Sequence, residues 1–160
     1  MITEQDMKHT NIRYSITLND GQLAYLSDDS QEVNRMMCLR TFLRMAALEQ
    51  TTVRGSNFSA GISAGQFIAS KVELGRLWNC DRKTATRIIS EFNRMGILQS
   101  EPTNRTTVHT LRCLSVWFTD QGMVRNGFFV SNPTARTREQ ASKQNSHVPP
   151  GGNAETASGE

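Results

Sequence analysis

Near the start of the chain apolar positions alternate with polar ones: Tyr14, Ile16 and Leu18, then, after Asn19-Asp20-Gly21, Leu23 and Tyr25. Period-two alternation on both sides of such an interruption predicts an N-terminal β-hairpin over Arg13 to Leu26, inside an extension formed by residues 1–29. The period then changes. Val33, Met36, Met37, Leu39, Phe42, Leu43, Ala46 and Ala47 recur at helical spacing, in a stretch free of Gly and Pro to about Gln50. Asp28, Asp29 and Ser30 stand before it as capping candidates, with negative charge at the positive end of a helix. We therefore expect a long amphipathic first helix. From Thr51 to Ala64, Gly, Ser and Ala surround isolated Val53, Phe58 and Ile62, which reads as a loop or short edge strands.

The segment from Gly65 to Trp117 is the most informative. Gly65-Gln66-Phe67-Ile68-Ala69 reads as a short strand, and Ser70-Lys71-Val72-Glu73 as a capping box that starts a helix with Leu74, Leu77 and Trp78 on its apolar face. Asn79-Cys80-Asp81 then forms a three-residue turn, with Asp81 placed to cap a second helix from Arg82 to Met95. Ala85, Ile88, Ile89, Phe92 and Met95 share one side of that helix, and Lys83, Arg87, Ser90 and Arg94 share the other. Gly96 ends it in the manner of a left-handed cap. Ile97 to Glu101 and Thr106 to Arg112 read as two strands joined by Pro102-Thr103-Asn104-Arg105, with either a bulge or a strand end between Val108 and Leu111 because the two are three residues apart. Trp117 and Phe118 are expected to close the core. Helix, turn, helix and hairpin in this order make the pattern α+β, a winged helix-turn-helix over residues 30–130.

Beyond Asn132 the composition shifts: Val148 is the only sizeable aliphatic residue after that point, and Pro149-Pro150-Gly151-Gly152 sits among polar residues. Such a segment buries too little to offset its ordering entropy, so residues 131–160 are expected to be a disordered polar tail. The hydrophobic share of the chain, 37%, fits one domain with an unfolded appendage. Nothing approaches the roughly 18 consecutive apolar residues of a membrane span. The opening Met1 to Asp6 carries acids where a secretory leader is basic and then apolar. Both observations predict a cytoplasmic protein. Cys38, Cys80 and Cys113 are spaced for neither a disulfide framework nor a zinc site, and read as reduced structural thiols. For Cys80, close to Arg82 and a helix start, a redox-sensing thiol is the sharper alternative.

Charge changes the picture through its distribution rather than its sum of +3. Residues 1–50 hold five Lys/Arg against seven Asp/Glu, whereas residues 60–118 hold eight against four. Fourteen of the eighteen cations are Arg, whose planar fork suits phosphates and guanine edges.

Ile62-Ser63-Ala64-Gly65-Gln66-Phe67-Ile68-Ala69-Ser70, the helix ending in Trp78, Asp81-Arg82-Lys83-Thr84-Ala85, Met95-Gly96-Ile97-Leu98 and Thr106-Thr107-Val108-His109-Thr110-Leu111 together resemble the winged-helix domain of bacterial and phage replisome-organiser and related replication proteins. The likeness covers about Ser30 to Trp117, with Gly75 standing where that family usually has Ala. It implies double-stranded DNA as partner and replication, or its control, on a phage, plasmid or integrated element as the process. Read with the cationic stripe, it makes Arg82, Lys83, Thr84, Thr86, Arg87, Ser90 and Arg94 on the second helix, and Asn104 and Arg105 at the wing tip, the candidate DNA-binding residues. Glu91 lies near the stripe and could pair with Arg87 or Arg94.

Two other readings share these features. A transcriptional regulator uses the same binding mode. A winged-helix adaptor instead docks a protein, or a second copy of itself as a homodimer, on a Met36, Met37, Phe42 and Met45 surface. No phosphate loop, nucleophile triad, carboxylate pair or metal-ligand spacing is present in the sequence, so neither catalysis nor a cofactor is expected.

Overall fold

The computed structural model describes residues 11–131, so the expectation of a disordered tail lies, but for Ser131, outside the described residues. The described chain is mixed α+β. Its elements run β1 (Arg13–Ile16), α1 (Asp20–Ser27), α2 (Arg35–Met45), β2 (Thr51–Arg54), β3 (Ser59–Ile62), β4 (Gln66–Ile68), α3 (Lys71–Leu77), α4 (Arg82–Arg94), β5 (Leu98–Pro102), β6 (Thr107–Leu111), β7 (Leu114–Thr119) and β8 (Gly122–Arg125). All strand pairing is antiparallel, in sheets of order β1-β7-β8 and β4-β6-β5 and in the hairpin β2-β3.

The N-terminal hairpin is not formed. β1 pairs with β7, Arg13 facing Phe118 and Tyr14 facing Trp117, and the Asn-Asp-Gly sequence starts helix α1 instead of a turn. Asn19 Oδ1 accepts from the Gln22 amide while Gln22 Oε1 accepts from the Asn19 amide, both at 2.8 Å, a reciprocal cap that satisfies two orphan donors. Leu23 is consequently exposed, and Gln22 and Leu26, four apart, face inward. The Gln22 amide group donates to the Met95 carbonyl, fastening α1 to the end of α4.

The first long helix is also shorter than its apolar period suggests. Asp28 spends its carboxylate on the Ser30 amide and hydroxyl and on Gln31, a local turn that competes with capping. Asn34 caps α2 instead, accepting from the Met37 amide. At the other end, Ala47 pairs through its backbone with Gly65 and Gln66, which draws the chain out of the helix after Met45. The stretch 51–64, left open between loop and short strands, forms β2 and β3.

One core joins the four helices with the sheets β1-β7-β8 and β4-β6-β5. Phe42 of α2 stands at its centre, stacked on Phe67 of β4 at 5.3 Å between ring centroids and edge-on to Trp78 and Phe92 at 5.6 and 5.1 Å. Trp78, Phe92 and Trp117 are buried, as the apolar stripes predict. Phe118 is not, because its neighbour Trp117 takes the inward face of β7 and successive strand residues face opposite ways. Among the four residues of the proposed adaptor surface, Phe42 is wholly buried and Met45 partly so, which leaves Met36 and Met37 exposed.

β6 runs without a bulge. Its pairs with β5 are regular from Leu98–Leu111 to Pro102–Thr107. The irregular apolar spacing arises because His109, two residues before Leu111, occupies the core face. Gly65 has φ +95, and the Asn126 side chain lies where its Cβ would be, only 2.3 Å away. That buried Asn126 donates to the Leu111 and Leu114 carbonyls and accepts from the Phe128 amide, pinning the bend between β6 and β7. Among the described residues no helix is long and apolar enough to cross a membrane.

Candidate nucleic-acid interface

Local signals build α3 and α4, the second of which carries the cationic stripe. Ser70 Oγ accepts from the Glu73 amide and the Glu73 carboxylate accepts from the Ser70 amide, the capping box read from the sequence. The turn after α3 is tight: Cys80 N donates to Gly75 O at 2.8 Å, and Asn79 takes φ +54. A Cβ on Gly75 would lie 2.8 Å from the Cys80 carbonyl oxygen, so the packing of the turn requires Gly at this position. Asp81 then caps α4 by accepting from the Thr84 amide at 2.7 Å, and this hydrogen bonding holds its carboxyl below the usual range. Gly96, at φ +76, ends the helix turn as expected.

α4 is strongly two-faced. Ala85, Ile88, Ile89 and Phe92 are buried, whereas Arg82, Lys83, Arg87, Ser90 and Arg94 are exposed. Thr84 and Thr86 flank the stripe and are half-buried, and the Thr86 hydroxyl already donates to the Arg82 carbonyl. Asn104 and Arg105 are exposed at the end of the β5–β6 hairpin. The tip is shaped by Thr103, whose hydroxyl oxygen accepts from the Thr106 amide and donates to the Thr106 carbonyl. Its hydroxyl is therefore engaged within the turn.

Glu91 does pair with Arg87, as its sequence position suggested, but its closer partners come from other elements. Its Oε2 lies 3.2 Å from Arg35 Nε and accepts from the Tyr25 hydroxyl at 2.6 Å, while Oε1 is only within 4.0 Å of Arg87 Nε. Arg35 is 1% exposed and also donates to the Val33 carbonyl and to Gln31 Oε1, so its fork is fully engaged. Burial and the adjacent Glu91 push the Tyr25 hydroxyl far above its ordinary pKa. This polar cluster ties α1, α2 and α4 together. It also draws one oxygen of the single carboxylate within α4 toward Arg35 and Tyr25 and leaves the other in a long contact with Arg87, so the stripe keeps its positive sign.

A second network was not legible beforehand. Asn93 donates to Ser100 Oγ at 2.9 Å and accepts from the Ser100 amide at 2.7 Å; Ser100 Oγ lies 2.7 Å from His109 Nδ1, and His109 Nε2 lies 3.0 Å from the Ala69 carbonyl. Since a carbonyl only accepts, Nε2 carries the ring proton and Nδ1 accepts from the Ser100 hydroxyl. Burial holds His109 below its ordinary pKa, in the neutral form this chain of bonds needs. The root of the hairpin is thereby locked to the last turn of α4, one residue from Arg94. The available signal was the i, i+2 spacing of His109 and Leu111 on a strand.

Burial raises the pKa of the Cys80 thiol, with Asp81 adding to the effect, so the turn does not favour the thiolate that a redox sensor requires. Cys38 and Cys113 are buried thiols pushed up to about 12 by desolvation. Among the described residues no cluster of three or more His, Cys, Asp or Glu is arranged to hold a metal ion. Comparison of the chain with protein-family models, with curated proteins and with solved structures found no match.

Proposed function

We propose that this chain is a winged-helix protein that binds double-stranded DNA sequence-specifically, with α4 in the major groove and the β5–β6 hairpin as the wing. The observation that carries the reading is the exposed face of α4, where Arg82, Lys83, Arg87 and Arg94 stand together against a single acid, Glu91, whose close partners are Arg35 and Tyr25 and whose contact with Arg87 is a long 4.0 Å. The order of elements supports it: β4, ahead of the two helices, pairs with β6, the second strand of the hairpin after them, so helices and hairpin share one sheet and one core. Lys83 and Arg87 in the N-terminal half of α4 reach base edges, whereas Arg94 and Arg105 hold phosphates. The process that the sequence resemblance implies is replication, or its control, on a phage, plasmid or integrated element.

Each cation paired with a phosphate lowers the slope of log affinity against log salt by about 0.9, whereas loss of a base contact costs about 1–3 kcal/mol of discrimination between sequences. Titration with random duplex at low and moderate salt is expected to show binding that weakens steeply with salt. Lys83→Ala, Arg87→Ala and Arg94→Ala together are expected to abolish it. With a selected cognate site, Arg87→Ala should reduce preference for that site, whereas Arg94→Ala or Arg105→Ala should weaken all duplexes alike. Binding absent at low salt, or indifferent to the triple change, overturns the reading in favour of a protein adaptor.

A further inference from the structure

The sheet β1-β7-β8 has a second face, independent of α4. Strand alternation places Tyr14, Trp117 and Val124 inward, and Arg13, Ser15, Val116, Phe118, Met123 and Arg125 outward. In register, Arg13, Phe118 and Met123 lie side by side across the three strands, with Ser15, Val116 and Arg125 in the next outward row. Phe118 is 37% and Met123 52% exposed, unusual positions for such large apolar side chains. The Arg13 guanidinium carbon lies 5.6 Å from the centre of the Phe118 ring. No acid occupies any of these outward positions, and neither arginine has an acidic partner among the described residues. The nearest carboxylate in sequence, Asp120 in the β7–β8 turn, accepts from the Asn11 side chain.

We propose that this face binds single-stranded DNA, with a base stacked against the Phe118 ring and the flanking phosphates paired with Arg13 and Arg125. An exposed ring can stack only on a base that is not already stacked within a duplex, which is why the partner is a single strand. The two arginines start from Cα positions ~12 Å apart, two strand spacings across the sheet and two residues along it, so a base fits between the phosphates they hold. Met123 supplies an apolar edge beside the ring. Ser15 is the only uncharged hydrogen-bonding side chain among the six, so the face has little with which to favour a ribose 2′-hydroxyl.

The test is fluorescence anisotropy of the full chain with a short labelled oligothymidylate, beside a random duplex and an oligouridylate. Oligothymidylate is expected to bind at low salt, with affinity falling about tenfold in Phe118→Ala, recovering in Phe118→Tyr and staying low in Phe118→Leu, which keeps the apolar bulk without the ring. Arg13→Ala and Arg125→Ala should each reduce the salt slope by about 0.7. The triple change on α4 should lower duplex binding and leave oligothymidylate binding in place, so failure of this proposal is distinguishable from failure of the one above. Absence of oligothymidylate binding, equal binding by wild type and a folded Phe118→Leu, equal loss on duplex and single strand, or tighter binding of oligouridylate would each overturn the assignment.

Discussion

His109 shows how one side chain joins local chemistry to stability. It is 1% exposed, stacked on Phe67 at 4.8 Å, and bonded at both ring nitrogens. Burial, with a smaller contribution from Lys71, lowers its pKa in the folded chain below the ordinary 6.5, against a weaker opposing effect of the Ala69 carbonyl. In the unfolded chain the ring gains its proton near that ordinary value. Below it the unfolded state binds more protons than the folded one, so stability falls as pH drops from about 6.5 toward the folded pKa and is fully present above that window. Denaturant melts near pH 7.5 and pH 5.5 should show this loss in wild type and a smaller one in His109→Gln, the carboxylates contributing equally to both. An unchanged difference in the variant would mean that the proton is taken up elsewhere.

At the scale of elements, α4 is held by opposite chemistries on its two sides. Phe92 meets both Phe42 and Tyr25 edge-on, while Asn93 and Glu91 reach polar partners in β5 and α2. Phe92→Ala is therefore expected to cost roughly 3–5 kcal/mol, through lost transfer energy and a cavity that α2 and α3 cannot close. Chemical denaturation would measure it, and a harmless replacement would mean that α4 is not packed by this stripe. Much of this element was readable in advance, because its cap, apolar period and terminal Gly96 lie within a few residues of one another. α1 was not. Asn19-Asp20-Gly21 serves equally as a hairpin turn or as the start of a helix, and what decided between them was the reciprocal bonding of Gln22, whose side chain then reaches Met95.

For the whole molecule, β1 is the element that ties the N-terminal part to the rest. It covers Trp117 with Tyr14, and Ile12, Tyr14, Ile16 and Leu18 all pack partly buried against the common core. Removing residues 1–18 should therefore destabilise the fold by ~4 kcal/mol, at about 1 kcal/mol for each half-buried side chain. This is a large share of the 5–15 kcal/mol of an ordinary domain. A shortened chain that melts at the temperature of the full one would show β1 to be dispensable.

What the amino-acid sequence determined by itself is the segment from Ser70 to Leu111: two capped helices around a three-residue turn, a left-handed Gly96, two paired strands, and a helix with apolar residues on one face and cations on the other. Those features depend on side chains bonding to backbone groups a few positions away and on the geometry of a single helix. The partners of β1, the direction of Glu91, the burial of His109 and the exposure of Phe118 were decided only by the tertiary structure. Arg13 meets Phe118, and Glu91 meets Arg35, across sequence separations that local propensity does not span. In such cases the side chain's role is set by which surfaces the folded chain closes against one another, since burial and charge pairing exist only once those surfaces have met.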